Sequence, residues 1–152
     1  MKNIFTLVLL LLTVSFYGQE ASAKRISFLN LVGNNIQVPR GCEAQSEYEL
    51  QACNGTSIKW DYYSDDMLSA VFDATIEAFG ADNSSKTQVT FTSFEAQLTG
   101  FKFKTGEAFQ YFLKGTIKGQ PLMINLGTPT DITGTSDLEG FLKLFFDTAQ
   151  VG

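Results

Sequence analysis

Short runs of alternating apolar and polar residues, separated by turns that contain glycine, constrain the fold of this 152-residue chain more than any other feature. Alternation with a period of two is typical of β-strands that bury one face. Neighbouring runs joined by short turns form antiparallel hairpins. The sequence therefore predicts a mainly antiparallel sheet of about six to eight strands built from hairpins.

Two segments change from this alternation to the spacing of an amphipathic helix. The first covers about 64–79, starts near two aspartates and stops at Gly80. The second covers about 137–148 and starts with a capping box formed by Ser136 and Glu139. The expected buried stripes are Leu68, Val71, Phe72, Ile76 and Phe79 in the first helix, and Leu138, Phe141, Leu142 and Phe145 in the second. Two helices packed on an antiparallel sheet make an α+β domain.

The hairpin around Asn54–Gly55 has two possible loops, and the apolar faces of its strands choose between them. A two-residue turn pairs Leu50 with Lys59, so the apolar residues of the two strands would lie on opposite faces of the hairpin. A three-residue loop at 53–55, with Gly55 left-handed, places Leu50 opposite Ile58. The sequence therefore predicts the three-residue loop.

Face matching also predicts the later connections. A three-residue loop at 104–106 pairs Phe101 with Phe109, and a two-residue turn at 119–120 joins the next two strands. The apolar phase changes near Thr92–Ser93 inside one long run. This change predicts a bulge or bend within a single strand.

The N-terminal residues 1–23 have the pattern of a cleaved secretory signal. A lysine precedes an apolar run from Ile4 to Val14, and Ala21-Ser22-Ala23 ends the segment, although a cut after Gly18 is an alternative. The run is shorter than the roughly 20 apolar residues that a membrane span needs. We therefore expect a single exported α+β domain over 24–152, in the periplasm or outside the cell, with no membrane span.

Cys42 and Cys53 are the two cysteines of the chain. An exported protein meets an oxidising compartment, so we expect them to form a disulfide. Closing a loop this short stabilises the fold by about 3 kcal/mol in the chain-entropy account. Because an extended strand would separate the two sulfurs, the chain must reverse between them, and we expect the reversal around Gln45–Ser46.

Several classes of function are disfavoured by residue content. The chain has no histidine, which removes the commonest general base and the commonest metal ligand. Its net charge of −5 disfavours nucleic acid, and it has no phosphate-binding glycine loop. The acidic segment 61–66 is interpreted as the start of a helix and not as a calcium loop. We therefore expect no enzymatic activity, no metal and no cofactor.

A polar segment at 128–136 is the first candidate site, because irregular loops carry function more often than core strands do. Its candidate partner-binding residues are Thr128, Thr130, Asp131, Thr133 and Thr135. The leading hypothesis is a non-enzymatic interaction module, such as an inhibitor, an immunity-type protein or an accessory protein. It would use this loop and a neighbouring sheet edge to bind a protein partner.

Crowded phenylalanines give the second candidate site. Phe101, Phe109 and Phe141 are predicted to line an apolar space between the sheet and the helices. The alternative hypothesis is accordingly a carrier of a small apolar ligand.

The order of elements, with Val38-Pro39-Arg40-Gly41 ending an early strand and an apolar helix closing the chain, resembles the PsbP/Mog1-like family of small α/β/α sandwiches. Cys42 stands where that family has an aromatic residue shortly after the turn. The resemblance implies a non-enzymatic accessory or binding domain, and it carries no site residues over to this chain.

Overall fold

The computed structural model of the protein describes residues 25–82, 85–133, 137–138, 140–146 and 148–151. The predicted signal segment 1–23, Thr135 and both members of the predicted capping box, Ser136 and Glu139, lie outside these residues.

Within the described residues, the chain forms ten strands, one α-helix and one 3₁₀ helix. Before the α-helix come β1 (Phe28–Leu31), β2 (Asn34–Gln37), β3 (Ala44–Ser46), β4 (Glu49–Cys53) and β5 (Thr56–Tyr62). Then follow α1 (Asp65–Gly80), β6 (Lys86–Ser93), β7 (Ala96–Thr105), β8 (Ala108–Ile117), β9 (Gln120–Thr128), the 3₁₀ helix (Gly140–Leu144) and β10 (Thr148–Val151).

Eight of these described strands form one sheet in the order β10-β6-β7-β8-β9-β5-β4-β3, and every neighbouring pair is antiparallel. The remaining two, β1 and β2, form a separate hairpin. The prediction of an α+β fold with an antiparallel sheet is confirmed.

The two faces of the sheet are covered differently. Leu68, Phe72 and Ile76 of α1 pack against Phe103, Phe112 and Met123 on what we call the helix face. The opposite face, here the hairpin face, carries the larger core, with Trp60 and Tyr111 at its centre. Leu29 and Leu31 of the β1–β2 hairpin and the apolar residues of 132–146 cover that core.

Tyr62 fastens the separate hairpin to the main sheet. Its hydroxyl accepts a hydrogen bond from the backbone N–H of Val32 (2.8 Å) and donates one to the carbonyl of Asn30 (3.2 Å). The rings of Tyr48 and Trp60 lie edge-on to each other beside this contact, with centroids 6.2 Å apart. The hairpin thus has a fixed position over the core.

The first predicted helix is confirmed as α1, and its expected stripe is buried or partly buried. The second predicted helix, 137–148, is wrong. Only a five-residue 3₁₀ helix forms, and the chain then pairs with the edge of β6 as β10. Gly140 has a φ of +55°, which ends any α-helix at that point. Even so, Leu138, Leu142 and Phe145 are buried as the stripe requires.

The hairpin turns differ from the predicted ones in detail. Leu50 does lie opposite Ile58, but the turn is the two-residue Asn54–Gly55 with both φ values positive (53° and 82°). A register shift between Leu50 and Cys53 restores the matching of faces. The predicted three-residue loop is therefore wrong, although the pairing that motivated it is right.

Two further turns lie a residue or two away from their predicted places. Thr105 pairs with Ala108 and Phe101 with Phe112, so Phe101 and Phe109 are not partners. Ile117 pairs with Gln120, which moves that turn to 118–119.

The predicted bulge at Thr92–Ser93 is a complete chain reversal. Ser93 pairs with Ala96 across Phe94–Glu95, whose φ values are +47° and +67°. Such values are uncommon for residues other than glycine, and this turn contains no glycine, asparagine or proline. The pairing of β6 with β7 therefore overrides local preference.

The disulfide between Cys42 and Cys53 is present, with Cα atoms 5.3 Å apart. The chain reverses between Ser46 and Glu49, slightly later than predicted. The bond ties the segment after the β1–β2 hairpin to the end of β4.

Candidate functional site

A groove opens on the helix face of the sheet beside the C-terminal half of α1. Its first opening has a volume of about 530 Å³ and lies over β8, β9, β5 and β4. A second opening of about 600 Å³ lies against α1 and shares Phe79, Gln110 and Asn125 with the first. The two openings make one continuous surface, which we call the helix-side groove.

Two carboxamides form the floor of the helix-side groove. Gln110 on β8 donates a hydrogen bond from Nε2 to Oδ1 of Asn125 on β9. Gly127 lies next to them, and a Cβ at this position would stand 3.3 Å from Oε1 of Gln110. The absent side chain of Gly127 therefore leaves room for the glutamine amide.

Polar and charged residues of β4 and β5 form the far wall. Glu49 and Lys59 are cross-strand partners, and Gln51 donates an amide hydrogen bond to the Glu49 carboxylate. Lys59 Nζ also lies 3.7 Å from a carboxylate oxygen of Asp61, with both side chains about half exposed. Ion pairs this exposed contribute little to stability, so these groups are available to a ligand.

Apolar side chains border the polar floor. Phe79 of α1 belongs to both openings, and its ring packs edge-on to Phe103 (5.1 Å between centroids) and Phe112 (4.9 Å). Phe109 and Pro129 close the other end. The groove thus combines fixed hydrogen-bonding groups with rigid apolar walls, as small-molecule sites do.

The predicted partner-binding loop is largely engaged with the rest of the protein. Asp131 accepts hydrogen bonds from Lys102 Nζ (2.7 and 2.9 Å) and from the Tyr111 hydroxyl (3.0 Å). Thr133 donates to the Asp137 carboxylate through its N–H (2.7 Å) and its hydroxyl (2.6 Å). Thr128 is buried at the end of β9, and its hydroxyl bonds to the Thr130 carbonyl.

Tyr111 is the buried anchor of this loop. Its hydroxyl accepts the backbone N–H of Ile132 at 2.7 Å while donating to Asp131. Burial, reinforced by the neighbouring Asp131 carboxylate, raises the pKa of Tyr111 far above its ordinary value of 10.0. Tyr111 therefore stays protonated and keeps its donor role throughout the physiological pH range.

The structure does not bring the three predicted ligand-lining phenylalanines together. Phe101 packs on the helix face, where its ring stacks with that of Phe72 at 6.3 Å. Phe109 and Phe141 pack against the core of the hairpin face. Of the three, Phe109 lines the helix-side groove.

The acidic segment 61–66 divides between two elements. Asp61 lies on β5, while Asp65 and Asp66 occupy the first turn of α1. A hydrogen bond with the Ser64 side chain, assisted by backbone N–H groups, lowers the pKa of Asp66. Among the residues that the structure describes, no three acidic or cysteine side chains gather as a metal site.

No helix in the described ranges has the length and apolar character to cross a membrane.

The floor and far wall of the groove were missed in the sequence. Asn125 stands between Ile124 and Leu126 in an apolar run, and Gln110 precedes the buried Tyr111. A polar residue at the inward position of a strand that is otherwise buried on both faces is the signal that marks such a site.

Comparisons of the chain with protein-family models, with curated proteins and with solved structures gave no match.

Proposed function

We propose that this protein is a non-enzymatic, exported binding protein and that the helix-side groove holds its ligand. The observation that carries the proposal is the groove itself, with a carboxamide floor, a polar far wall and apolar side chains at its borders. The volumes of its two openings, about 530 and 600 Å³, each fall within the roughly 300–1,000 Å³ of ligand sites. Its lining comes from paired strands and one packed helix, so little ordering is needed on binding.

Export is supported by the signal-like residues 1–23 and by the Cys42–Cys53 disulfide. Disulfides persist in oxidising compartments and are rare in reducing ones. A role without catalysis is supported by the lack of histidine in the sequence.

The predicted loop takes a supporting role in this proposal. Thr128 and Pro129 contribute to the groove wall, while Asp131 is occupied by Lys102 and Tyr111. A protein partner bound at the loop is therefore less favoured than a ligand bound in the groove beside it. The carrier hypothesis is less favoured, because of its three phenylalanines only Phe109 lines the groove, and because the groove floor is polar.

Thermal-shift screening of a chemically mixed library tests the proposal. The library contains sugars, peptides, nucleotides, amino acids and fatty acids. Compounds that raise the melting temperature of the wild type are expected to lose about tenfold or more in affinity for Gly127→Val. The valine would fill the floor and displace the Gln110 amide, yet suits a β-strand.

Thr116→Val is the matched control. Thr116 is exposed on β8, on the same face as Gln110 but at the other end of the strand. It should bind like the wild type. If Gly127→Val does not fold, Asn125→Leu removes the floor amide at similar side-chain volume. Ligands that bind both groove variants as tightly as the wild type, or no ligand at all, would refute the proposal.

A further inference from the structure

We propose that the helix-side groove takes a short, uncharged oligosaccharide, an inference that rests on the proposed function of the groove. Two or three sugar rings suit its size, and the chemistry of its floor, walls and ends each favours a neutral, hydroxyl-rich ligand.

The floor presents a donor and an acceptor side by side. Because Gln110 Nε2 is directed to Asn125 Oδ1, the glutamine Oε1 and the asparagine Nδ2 are the amide atoms left for a ligand. Each sugar hydroxyl both donates and accepts hydrogen bonds, so a pair of adjacent hydroxyls matches this arrangement. A purely apolar ligand would leave these groups without partners at a cost in affinity.

The charges of the first opening, over β8, β9, β5 and β4, cancel. Glu49 and Lys59 are its ionisable lining residues, and they are cross-strand partners of opposite sign. An anionic or cationic ligand there would therefore gain one attraction and meet one repulsion. A neutral ligand uses both groups as hydrogen-bonding partners without that conflict. Asp82 lines the second opening and adds a further repulsion for an anionic ligand.

Apolar side chains at the middle and at one end of the groove supply surface for the C–H faces of sugar rings. Phe79 stands between the two openings and is held by Phe103 and Phe112. Pro129 lies at the opposite end. The electron-rich face of an aromatic ring attracts the slightly positive hydrogens of a C–H group.

An extended peptide fits this groove less well than a glycan does. Peptides commonly bind by adding a strand to an open sheet edge. Here the floor lies within the sheet, where Lys59 pairs with Asn125 and Ser57 with Gly127. The backbone of the floor strands is already paired, so a ligand must bind through side chains.

Isothermal titration with neutral trisaccharides tests the inference directly. The probes are trisaccharides of glucose in α- and β-linkage, of mannose, of xylose and of N-acetylglucosamine. We expect at least one to bind the wild type. Phe79→Leu and Asn125→Leu should each weaken that trisaccharide about tenfold, whereas Thr116→Val should bind it like the wild type. A trisaccharide of galacturonic acid should bind more weakly than the neutral probes.

Absence of binding by all the neutral trisaccharides overturns the inference, and so does equal binding by the wild type and both groove variants. The library screen then separates the two proposals. If a ligand of another class still binds in a Gly127-dependent way, the proposed function stands and only its glycan assignment falls. If no class does, both fall.

Discussion

Asp131 illustrates how one side chain can look functional in a sequence and be structural in the fold. It lies in a polar loop, yet its carboxylate is paired with Lys102, whose side chain is only 11% exposed. The same carboxylate accepts the hydroxyl of the buried Tyr111. The sequence gives no signal for these two contacts, because Asp131 lies 29 positions from Lys102 and 20 positions from Tyr111.

Asp131→Ala should therefore destabilise the protein. Removing the carboxylate leaves the largely buried Lys102 ammonium without its ion-pair partner and the Tyr111 hydroxyl without its acceptor. The expected loss in the free energy of unfolding is about 2–3 kcal/mol, measured by urea denaturation at neutral pH.

Thr130→Ala is the comparison, because Thr130 is exposed in the same loop and contributes its backbone carbonyl to the contact with Thr128. It should change stability by less than about 0.5 kcal/mol. If the Asp131→Ala protein were as stable as the wild type, Asp131 would have no structural role and the loop would again be a candidate binding surface.

At the level of elements, the apolar spacing of residues 137–148 predicts which side chains are buried but not which secondary structure they form. The apolar spacing correctly identifies which side chains are buried, since Leu138, Leu142 and Phe145 are in the core. The spacing does not identify the backbone conformation, because a 3₁₀ turn can bury a similar set of side chains. The pairing of β10 with β6 depends on residues more than 50 positions earlier, which no local window contains.

Gly140→Ala distinguishes the two backbones by the sign of its effect. In an α-helix interior, alanine would stabilise by about 1 kcal/mol over glycine. At the observed φ of +55°, it should instead destabilise by about 1–2 kcal/mol, although a Cβ there meets no neighbouring atom.

Chemical denaturation measures the change, with Lys143→Ala in the same 3₁₀ helix as a near-neutral control. A more stable Gly140→Ala variant with increased helical circular dichroism would contradict the structure of this segment.

The turns also divide into features that the sequence predicts and features that it does not. Leu50 opposite Ile58 follows from face matching, because burying both is favourable in any loop geometry. The position of the turn is decided by a bulge that adds a residue to one strand. The reversal at Phe94–Glu95 contains no glycine, asparagine or proline, so the sequence signals only a change of apolar phase.

At the level of the whole molecule, the sheet has more face than one helix can cover. The hairpin face is closed by β1, β2 and the buried apolar residues Ile132, Leu138, Leu142, Phe145 and Phe146. On the other face, α1 packs across β7 to β9 and leaves the groove beside it. The fold class and the disulfide were predictable from alternation and cysteine count. The groove was not, because it depends on which strands become neighbours and on where α1 ends.

Native mass spectrometry of the protein purified from its own compartment tests the central claim, that the helix-side groove is the binding surface. Wild type, Gly127→Val and Thr116→Val are compared under native and denaturing conditions. The account predicts an added ligand mass on native wild type and Thr116→Val that is lost on denaturation and absent from Gly127→Val. The same added mass on all three proteins, or none on any, would contradict it.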